Sequence, residues 1–282
     1  MNSPSLELWK LQARQWSHVG SPLRPSPEDS ELTCAAIAEW LRTSRRTALS
    51  AIVLGVTPEL CSLPLPAGSR VMAVDHAEEM IRKIWPGRVR NGDEAICGDW
   101  RWMPLKCSAI DLALGDGSLS TLVYPSAYAT ALGELRRVFR PESRFIIRSF
   151  MCPQKRETTE QVFEELCRGR IGSFHALKLR LWMSVQNNAQ EGVAVKEVRA
   201  ALLAKWPDLG LLARRFRWPL EDVMTIESYA NSAAVYTFAT LAEYREIFRT
   251  CGFSVLQMTA PSYELGERCP TFVLEATGGA VD

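Results

Sequence analysis

The sequence predicts an α/β protein with a doubly wound, mostly parallel seven-stranded sheet, an antiparallel last strand and a helical insertion after strand five. The first observation is a series of apolar runs that each end at a glycine or a charged residue, at 51–54, 71–74, 95–97, 110–114 and 144–147. The second observation is that segments compatible with helix separate these runs. Strands buried on both faces read as continuous apolar segments, and parallel strands need crossover helices.

Local signals place the other elements. Ser26 is the expected N-cap of a helix, with Pro27 at the first helical position and Asp29 completing a capping box. Further predicted elements are crossover helices at 78–85 and 127–138 and a late hairpin of strands at 253–258 and 271–275. Residues 151–235 interrupt the alternation with mostly helical sequence, in which two apolar stripes recur at helical spacing: Phe174, Leu177, Leu181 and Val185, then Val195, Val198, Leu202 and Leu203.

Composition excludes several classes of protein. Of the 282 residues 47% are hydrophobic, which argues against a disordered chain, and 33 Lys and Arg nearly cancel 32 Asp and Glu. The resulting net charge of +1 argues against a nonspecific nucleic-acid binder. No apolar stretch has the length of a membrane span, and no secretory signal begins the chain. Eight scattered cysteines without a C-x-x-C pair, and only three histidines, predict a cytoplasmic protein without a bound metal.

Four residues stand at the ends of predicted strands: Gly55, Asp75, Asp99 and Asp116. Because ligands bind outside the carboxyl ends of parallel strands, we expect these residues to converge on one crevice. The spacing from Gly55 to Asp75 is the one at which an acid on the second strand meets a ribose bound at the first turn. Asp99 is followed by Trp100, a pair that can accept from an adenine amine and cover the ring.

At this point the chain resembles a class I S-adenosylmethionine-dependent methyltransferase over residues 47–150 and 236–276. The carrying segments are Ile52-Val53-Leu54-Gly55-Val56-Thr57-Pro58-Glu59, Val74-Asp75-His76, Cys97-Gly98-Asp99-Trp100, Asp111-Leu112-Ala113-Leu114-Gly115-Asp116-Gly117-Ser118 and Glu134-Leu135-Arg136-Arg137-Val138-Phe139-Arg140-Pro141. The resemblance implies S-adenosylmethionine as the cofactor, S-adenosylhomocysteine as its product, and these cofactor-binding residues: Arg24, Gly55, Val56, Thr57, Glu59, Asp75, His76, Asp99, Trp100, Asp116, Gly117 and Ser118. It names no catalytic residue.

The first motif diverges from the family. Val53 replaces the usual acid before the turn, and Thr57 and Glu59 stand where two further glycines are common. Thr57 can offer a hydroxyl, and Glu59 can accept from the ammonium of the methionyl group. The alternative is that Thr57, Pro58 and Glu59 only begin a short helix.

Several other residues have two interpretations. Arg24 pairs with the methionyl carboxylate or is an ordinary surface arginine. Asp116 and Ser118 lie near the transferred methyl, cap a helix, or do both. His76 packs beside adenine in preference to transferring a proton, and Arg148 holds an anionic substrate or forms a salt bridge.

The resemblance implies one domain in three parts. Residues 1–46 form a helical segment that packs on the cofactor site, 47–150 and 236–282 form a Rossmann-like core, and 151–235 form a helical lid. The expected function is methyl transfer to a small-molecule acceptor by in-line displacement, without membrane association. The alternatives are a nicotinamide-dependent oxidoreductase, a non-catalytic binding protein, or an RNA methyltransferase. The basic aromatic cluster at 214–218 has the pattern of a nucleic-acid surface, but a solvated helix face is the favoured interpretation of it.

Overall fold

The computed structural model describes residues 4–277, and it describes side-chain surroundings from residue 6 onward. Residues 1–3 and 278–282, at the outer limits of the predicted N-terminal segment and core, lie outside the described residues. The main sheet has seven strands in the order β3-β2-β1-β4-β5-β9-β8. Its strands are β1 Ser50–Leu54, β2 Arg70–Asp75, β3 Glu94–Cys97, β4 Ile110–Asp116, β5 Phe139–Arg148, β8 Phe253–Thr259 and β9 Thr271–Ala276.

The fold class predicted from the sequence is confirmed. The first five strands pair in parallel, and β9 is antiparallel to both of its neighbours, β5 and β8. The central strands read as apolar runs because helices cover both faces of the sheet: Ile52, Val53, Ala73, Leu112 and Leu114 are fully buried. The chain reverses its strand order beside β1, so β1 and β4 form the switch point where a crevice opens.

Helices flank the sheet and make up most of the insertion. They are α1 Pro4–Arg14, α2 Pro27–Thr43, α3 Pro58–Cys61, α4 Glu78–Ile84, α5 Ser126–Val138, α6 Thr159–Cys167, α7 Phe174–Val185, α8 Val195–Lys205, α9 Leu209–Phe216, α10 Leu220–Met224 and α11 Leu241–Thr250. The capping box predicted for α2 is present: the Ser26 hydroxyl accepts from the Asp29 amide, and the Asp29 carboxylate accepts from the Ser26 amide. None of the helices between residues 4 and 277 is long and apolar enough to cross a membrane.

The helical insertion has its own apolar core. Both predicted stripes lie on helices, α7 and α8, and their buried residues pack with Trp182, Tyr229 and Phe238. A two-stranded ladder of β6 Val193–Ala194 and β7 Val235–Tyr236 closes the insertion; the sequence pattern did not indicate it. Helix α1 and the residue after it join this unit. The side-chain amide of Gln12 donates to the Ser228 hydroxyl at 2.9 Å, and that of Gln15 donates to the Thr225 carbonyl at 3.0 Å.

Arg148 joins the sheet to the N-terminal segment. It is the register partner of Asp116, and its Nε donates to the Asp116 carboxylate at 2.5 Å. Its Nη1 donates to the Pro22 carbonyl at 2.8 Å and to the Tyr263 hydroxyl at 2.9 Å, and it lies 3.6 Å from the Asp29 carboxylate. Of the two interpretations offered by the sequence, the structure shows the salt bridge. Because Arg148 is only 4% exposed, its charge depends on these partners.

We expect Arg148→Met to lower the free energy of unfolding by about 3–5 kcal/mol, because it leaves the buried Asp116 carboxylate without its counter-ion. Adding Asp116→Asn should recover part of that loss. Chemical denaturation monitored by circular dichroism measures both. Arg249→Met is the matched control, because Arg249 forms an ion pair with Glu246 that is exposed to solvent. A loss for Arg148→Met no larger than for this control would contradict the proposed dependence.

Candidate active site

A cavity opens at the carboxyl ends of the parallel strands, beneath helix α1 and the insertion. The space between its lining atoms is about 900 Å³, part of it open to solvent. Its floor is formed by strand-end residues and its roof by the N-terminal segment and the insertion. The floor residues are Leu54, Gly55, Val56, Thr57, Asp75, His76, Met80, Trp100, Asp116, Gly117, Ser118, Ser120, Thr121 and Phe150. The roof residues are Trp9, Gln12, Trp16, Val19, Leu23, Lys178, Trp182, Tyr229 and Tyr236.

The first loop begins at Gly55, which has φ of +107°, a conformation that favours glycine. Its amide donates to the Val74 carbonyl at 2.8 Å, which brings the turn against the end of β2. The loop then enters α3, a single turn with Pro58 at its start, so the helical alternative proposed for this segment is present. Thr57 nevertheless lines the cavity, and its side chain makes no capping hydrogen bond.

Glu59 and Arg24 contact each other. Arg24 Nε donates to Glu59 Oε1 at 2.6 Å, and the guanidinium lies over the Trp16 ring at 5.4 Å from its centroid. The second oxygen of Glu59, Oε2, is buried without a hydrogen-bond partner among the described residues. Neither Arg24 nor Glu59 lines the cavity, although Trp16 and Thr57 beside them do. The pair therefore stands next to the cavity with one carboxylate oxygen unsatisfied.

Asp75 ends β2 and faces the cavity. Its Oδ1 accepts from the Ala77 amide at 2.8 Å and lies 3.8 Å from His76 Nδ1. Burial raises the pKa of Asp75 to about 6, against the lowering effect of the Ala77 amide. Burial also lowers the pKa of His76. Asp75 is thus a buried carboxyl group with one oxygen bound to a backbone amide, and further hydrogen-bond donors would stabilise its ionised form.

Asp99 and Trp100 diverge after β3. Asp99 binds Arg101 through two carboxylate oxygens, at 2.9 Å to Nε and 2.5 Å to Nη2, and it does not line the cavity. This pairing holds the pKa of Asp99 below its ordinary value. Trp100 does line the cavity, and its indole Nε1 donates to the Val74 carbonyl at 2.6 Å. Only the aromatic half of the predicted pair reaches the cavity directly.

The turn after β4 is tightly packed. Gly117 has φ of +59°, and a Cβ on it would approach the Phe150 ring at 2.5 Å, so no other residue fits there without movement. The Ser118 hydroxyl is buried and has no hydrogen-bond partner among the described residues. Burial raises the pKa of Asp116, and Arg148 opposes that shift. Asp116 and Ser118 both line the cavity, yet neither side chain caps the short 3-10 helix at Ser118–Thr121.

Nine of the twelve predicted cofactor residues line the cavity, and the other three (Arg24, Glu59 and Asp99) form ion pairs beside it. Sequence reasoning missed most of the roof. Lys178 is the most unusual roof residue, because it is 1% exposed and has no carboxylate within ion-pair distance among the described residues. A signal was present: Phe174, Lys178 and Trp182 recur at i, i+4 and i+8 on one face of α7. No group of His, Cys, Asp and Glu side chains within residues 4–277 is arranged to hold a metal ion.

Comparison with known proteins shows the fold. No family model matches the chain, and no curated protein matches it. Among solved structures, the CcbJ methyltransferase from Streptomyces caelestis is 12% identical with a TM-score of 0.56, over 96% of this chain and 98% of that one. A chain from Rhodobacter sphaeroides, described as a putative Zn-dependent alcohol dehydrogenase, is 12% identical with a TM-score of 0.59, over 99% and 100%.

A third similar structure is a Haloferax volcanii complex of a methyltransferase activator and a putative methyltransferase. It is 12% identical with a TM-score of 0.51, over 99% of this chain and 100% of that one. Because the sequence identity is so low, these three comparisons show a shared fold and nothing more specific about this chain.

We expect the raised pKa of Asp75 to make the free energy of unfolding of the unliganded protein depend on pH. The folded-state pKa of about 6 lies above the ordinary value of 3.8, so the folded protein holds a proton that the unfolded chain releases. The stabilising contribution of that proton is present below pH 3.8 and is lost as the pH rises through about 6. Relative to Asp75→Asn, the wild type should lose about 3 kcal/mol over that window, measured by urea unfolding. Equal pH dependence of the two proteins would contradict this assignment.

Proposed function

We propose that this chain transfers a methyl group from S-adenosylmethionine to a small-molecule acceptor and releases S-adenosylhomocysteine. The observation that carries the proposal is the cavity at the switch point, where Gly55 at positive φ and the buried Asp75 carboxyl group share one floor. A carboxylate in this place can accept both hydroxyls of a ribose. The shared fold with the CcbJ methyltransferase, at a TM-score of 0.56, supports this choice of chemistry.

The residues present fit an adenosine group. Asp75 has one oxygen bound to the Ala77 amide, which leaves the other for ribose. Val56, Met80 and Trp100 add apolar and aromatic surface that suits a purine. The buried Oε2 of Glu59 lacks a donor, which an ammonium group would supply. Arg24 and Glu59 thus remain our proposed contacts for the methionyl group, and Asp99 is proposed to act through its neighbour Trp100.

The bound S-adenosylmethionine supplies a methyl group on a positively charged sulfur, which is already activated toward a nucleophile. The task of the chain is then to orient the acceptor and to exclude water. Val19, Leu23 and Phe150 present apolar surface to the cavity for that purpose. We propose that the described part of the N-terminal segment, residues 4–46, packs on the cofactor site and that residues 151–235 form the lid over the core. All eight cysteines are free thiols, which supports a cytoplasmic location.

The similar Rhodobacter structure keeps a nicotinamide-dependent oxidoreductase as the second candidate. The first loop disfavours it. A dinucleotide pyrophosphate binds backbone N–H groups at a helix N-terminus, but α3 is only four residues long and begins with Pro58, which has no N–H. The Glu59 carboxylate beside this turn would repel a pyrophosphate.

RNA methylation is less consistent with the basic aromatic cluster at 214–218. Phe216 and Trp218 stack on each other at 5.2 Å, and Trp218 packs edge-to-face on the buried Phe174 at 6.0 Å. Arg215 lies over the Trp206 ring at 5.7 Å. The aromatic rings are therefore engaged within the insertion, which leaves them poorly placed to stack on bases.

Isothermal titration with S-adenosylhomocysteine tests the proposal, with NAD⁺ and NADP⁺ titrated in parallel. We expect S-adenosylhomocysteine alone to bind. Asp75→Asn should weaken its binding by about 10- to 150-fold, because hydrogen bonds to a charged acceptor are lost. Since only the ionised Asp75 accepts from both hydroxyls, wild-type affinity should fall about tenfold between pH 7 and pH 5.

Two further variants control this titration. Glu94→Gln makes the same change of carboxylate to amide on the exposed face of neighbouring β3 and should leave affinity unchanged. His76→Asn should retain the pH dependence, which separates the Asp75 titration from that of His76. Binding of NAD⁺ in place of S-adenosylhomocysteine would favour the oxidoreductase. Binding without methyl transfer to any component of a metabolite extract would favour the non-catalytic alternative.

A further inference from the structure

The roof of the cavity holds a lysine in unusual surroundings. Lys178 is 1% exposed, and its ammonium position lies near three aromatic rings, at 5.7 Å from the Phe174 centroid, 6.0 Å from Trp182 and 5.4 Å from Tyr229. Within residues 4–277 its one conventional hydrogen bond is to the Thr225 hydroxyl, at 3.0 Å. An ammonium group has three donors and needs more acceptors than this. The surroundings of Lys178 therefore lack the acceptors that a buried, permanently charged lysine needs.

The hydroxyl of Thr225 has a defined direction. It donates to the Asp222 carbonyl at 2.6 Å, so an oxygen lone pair faces Lys178 and accepts from Nζ. When Lys178 is neutral, this hydrogen bond uses an N–H and leaves the nitrogen lone pair available. Lys178 lines the cavity, where a bound molecule is the remaining partner for that lone pair.

The surrounding groups favour the neutral amine. Burial lowers the pKa of Lys178 to about 7, and the more distant Asp222 carboxylate opposes this shift only in part. Burial also lowers the pKa of His175, one turn away on the same helix, to about 3, so His175 carries no competing charge. Burial raises the pKa of Tyr229 and of Tyr236, so these phenols stay neutral. At neutral pH the cavity thus contains an amine that can take up a proton.

The walls around Lys178 suit a flat aromatic molecule. Trp182 is held rigidly between Tyr229, at 5.7 Å, and Phe238, at 5.6 Å between ring centroids. Its indole Nε1 is buried and has no hydrogen-bond partner among the described residues, although Trp182 lines the cavity. Tyr236 and Phe150 extend the aromatic surface. A planar ring with an oxygen substituent would fill the space and give the indole N–H an acceptor.

We propose that Lys178 is the general base of the reaction and that the methyl acceptor is an aromatic molecule with an ionisable hydroxyl, such as a phenol or an enol. The inference rests on the proposed function. The acceptor hydroxyl gives its proton to Lys178 Nζ, which becomes an ammonium. The oxygen lone pair forms the new bond to the methyl carbon, and the methyl–sulfur bond breaks with its electron pair left on sulfur. An aliphatic alcohol is far too weak an acid for an amine of this basicity, whereas a phenol is close enough.

The test uses 4-nitrophenol, which absorbs visible light only as the phenolate, with the full-length protein saturated with S-adenosylhomocysteine. At neutral pH, where Lys178 is partly unprotonated, we expect wild-type protein to increase the phenolate absorbance, because the phenol proton moves to Lys178. Lys178→Met should weaken this binding roughly tenfold or more, since a charged hydrogen bond is lost. Lys196→Met, at an exposed lysine on α8, is the matched control and should behave as wild type.

Lys178→Arg separates a base from a fixed positive charge. Arginine stays protonated, so in this variant a bound phenol that ionises gives its proton to the buffer, whereas in the wild type the proton stays on Lys178. Isothermal titration of 4-nitrophenol at pH 7 in two buffers of different ionisation enthalpy counts the protons released. We expect more release for Lys178→Arg than for the wild type, and equal release would show a fixed charge in place of a base. Titration of S-adenosylhomocysteine into each variant is the independent readout. If the wild type and Lys178→Met both bind S-adenosylhomocysteine but give the same 4-nitrophenol signal, or none, the assignment of Lys178 is overturned while the proposed function stands. If the wild type does not bind S-adenosylhomocysteine, the proposed function itself fails.

Discussion

The buried charge of Arg148 is the constraint on which the architecture of the site depends. A guanidinium that is 4% exposed has to find its partners within the protein, and Arg148 finds them on three separate parts of the chain. Asp116 belongs to β4, Pro22 and Asp29 to the N-terminal segment, and Tyr263 to the loop between β8 and β9. Because Arg148 contacts Pro22 and Asp29, the N-terminal segment lies across the carboxyl ends of the strands. It thereby supplies one wall of the cavity.

Two strand-end carboxylates that look alike in the sequence have different roles as a result. Asp116 is bound to Arg148 at 2.5 Å, so its charge is balanced within the protein, and the Gly117 amide that follows donates to the Arg148 carbonyl at 2.8 Å. Among the described residues Asp75 has no cationic partner of comparable strength, and burial raises its pKa to about 6. The ionised form of a carboxyl group buried in this way is stabilised when a ligand brings hydrogen-bond donors to it. The difference supports Asp75 over Asp116 as the residue that recognises ribose.

The sequence determined the fold well because its signals are repeated and local. Apolar strands ending at Gly55, Asp75 and Asp116 recur in order, and helix caps such as Ser26 depend on residues three apart. The site was predicted in part, because strand ends meet at one edge of a parallel sheet whatever the loops do. Pairings between distant residues could not be foreseen. Arg24 and Glu59 are 35 residues apart, and nothing in either local sequence indicates that they meet.

Asp99 and Lys178 show two further limits of sequence reasoning. Asp99 has a nearer partner in Arg101, two residues along, which outcompetes a role in the cavity. Lys178 stands in α7 within a run of ten buried residues, Phe174 to Met183, and most lysines in such a position reach solvent through their long side chains. The sequence shows aromatic residues at i−4 and i+4 from this lysine. The environment of its amine also depends on Tyr229 and Thr225, which only the fold brings next to Lys178.

Thr225 connects closure of the cavity with the state of Lys178. Its carbonyl accepts from the side chain of Gln15, the residue after helix α1, and its hydroxyl accepts from Lys178 Nζ. The C-terminal end of α1 is therefore tied to the same residue that positions the lysine. If α1 moved away, water would reach Nζ, the loss of burial would return the pKa of Lys178 toward 10.5, and the amine would become a permanent cation at neutral pH. The closed arrangement is thus the one in which Lys178 can accept a proton, which links exclusion of water to the availability of the base.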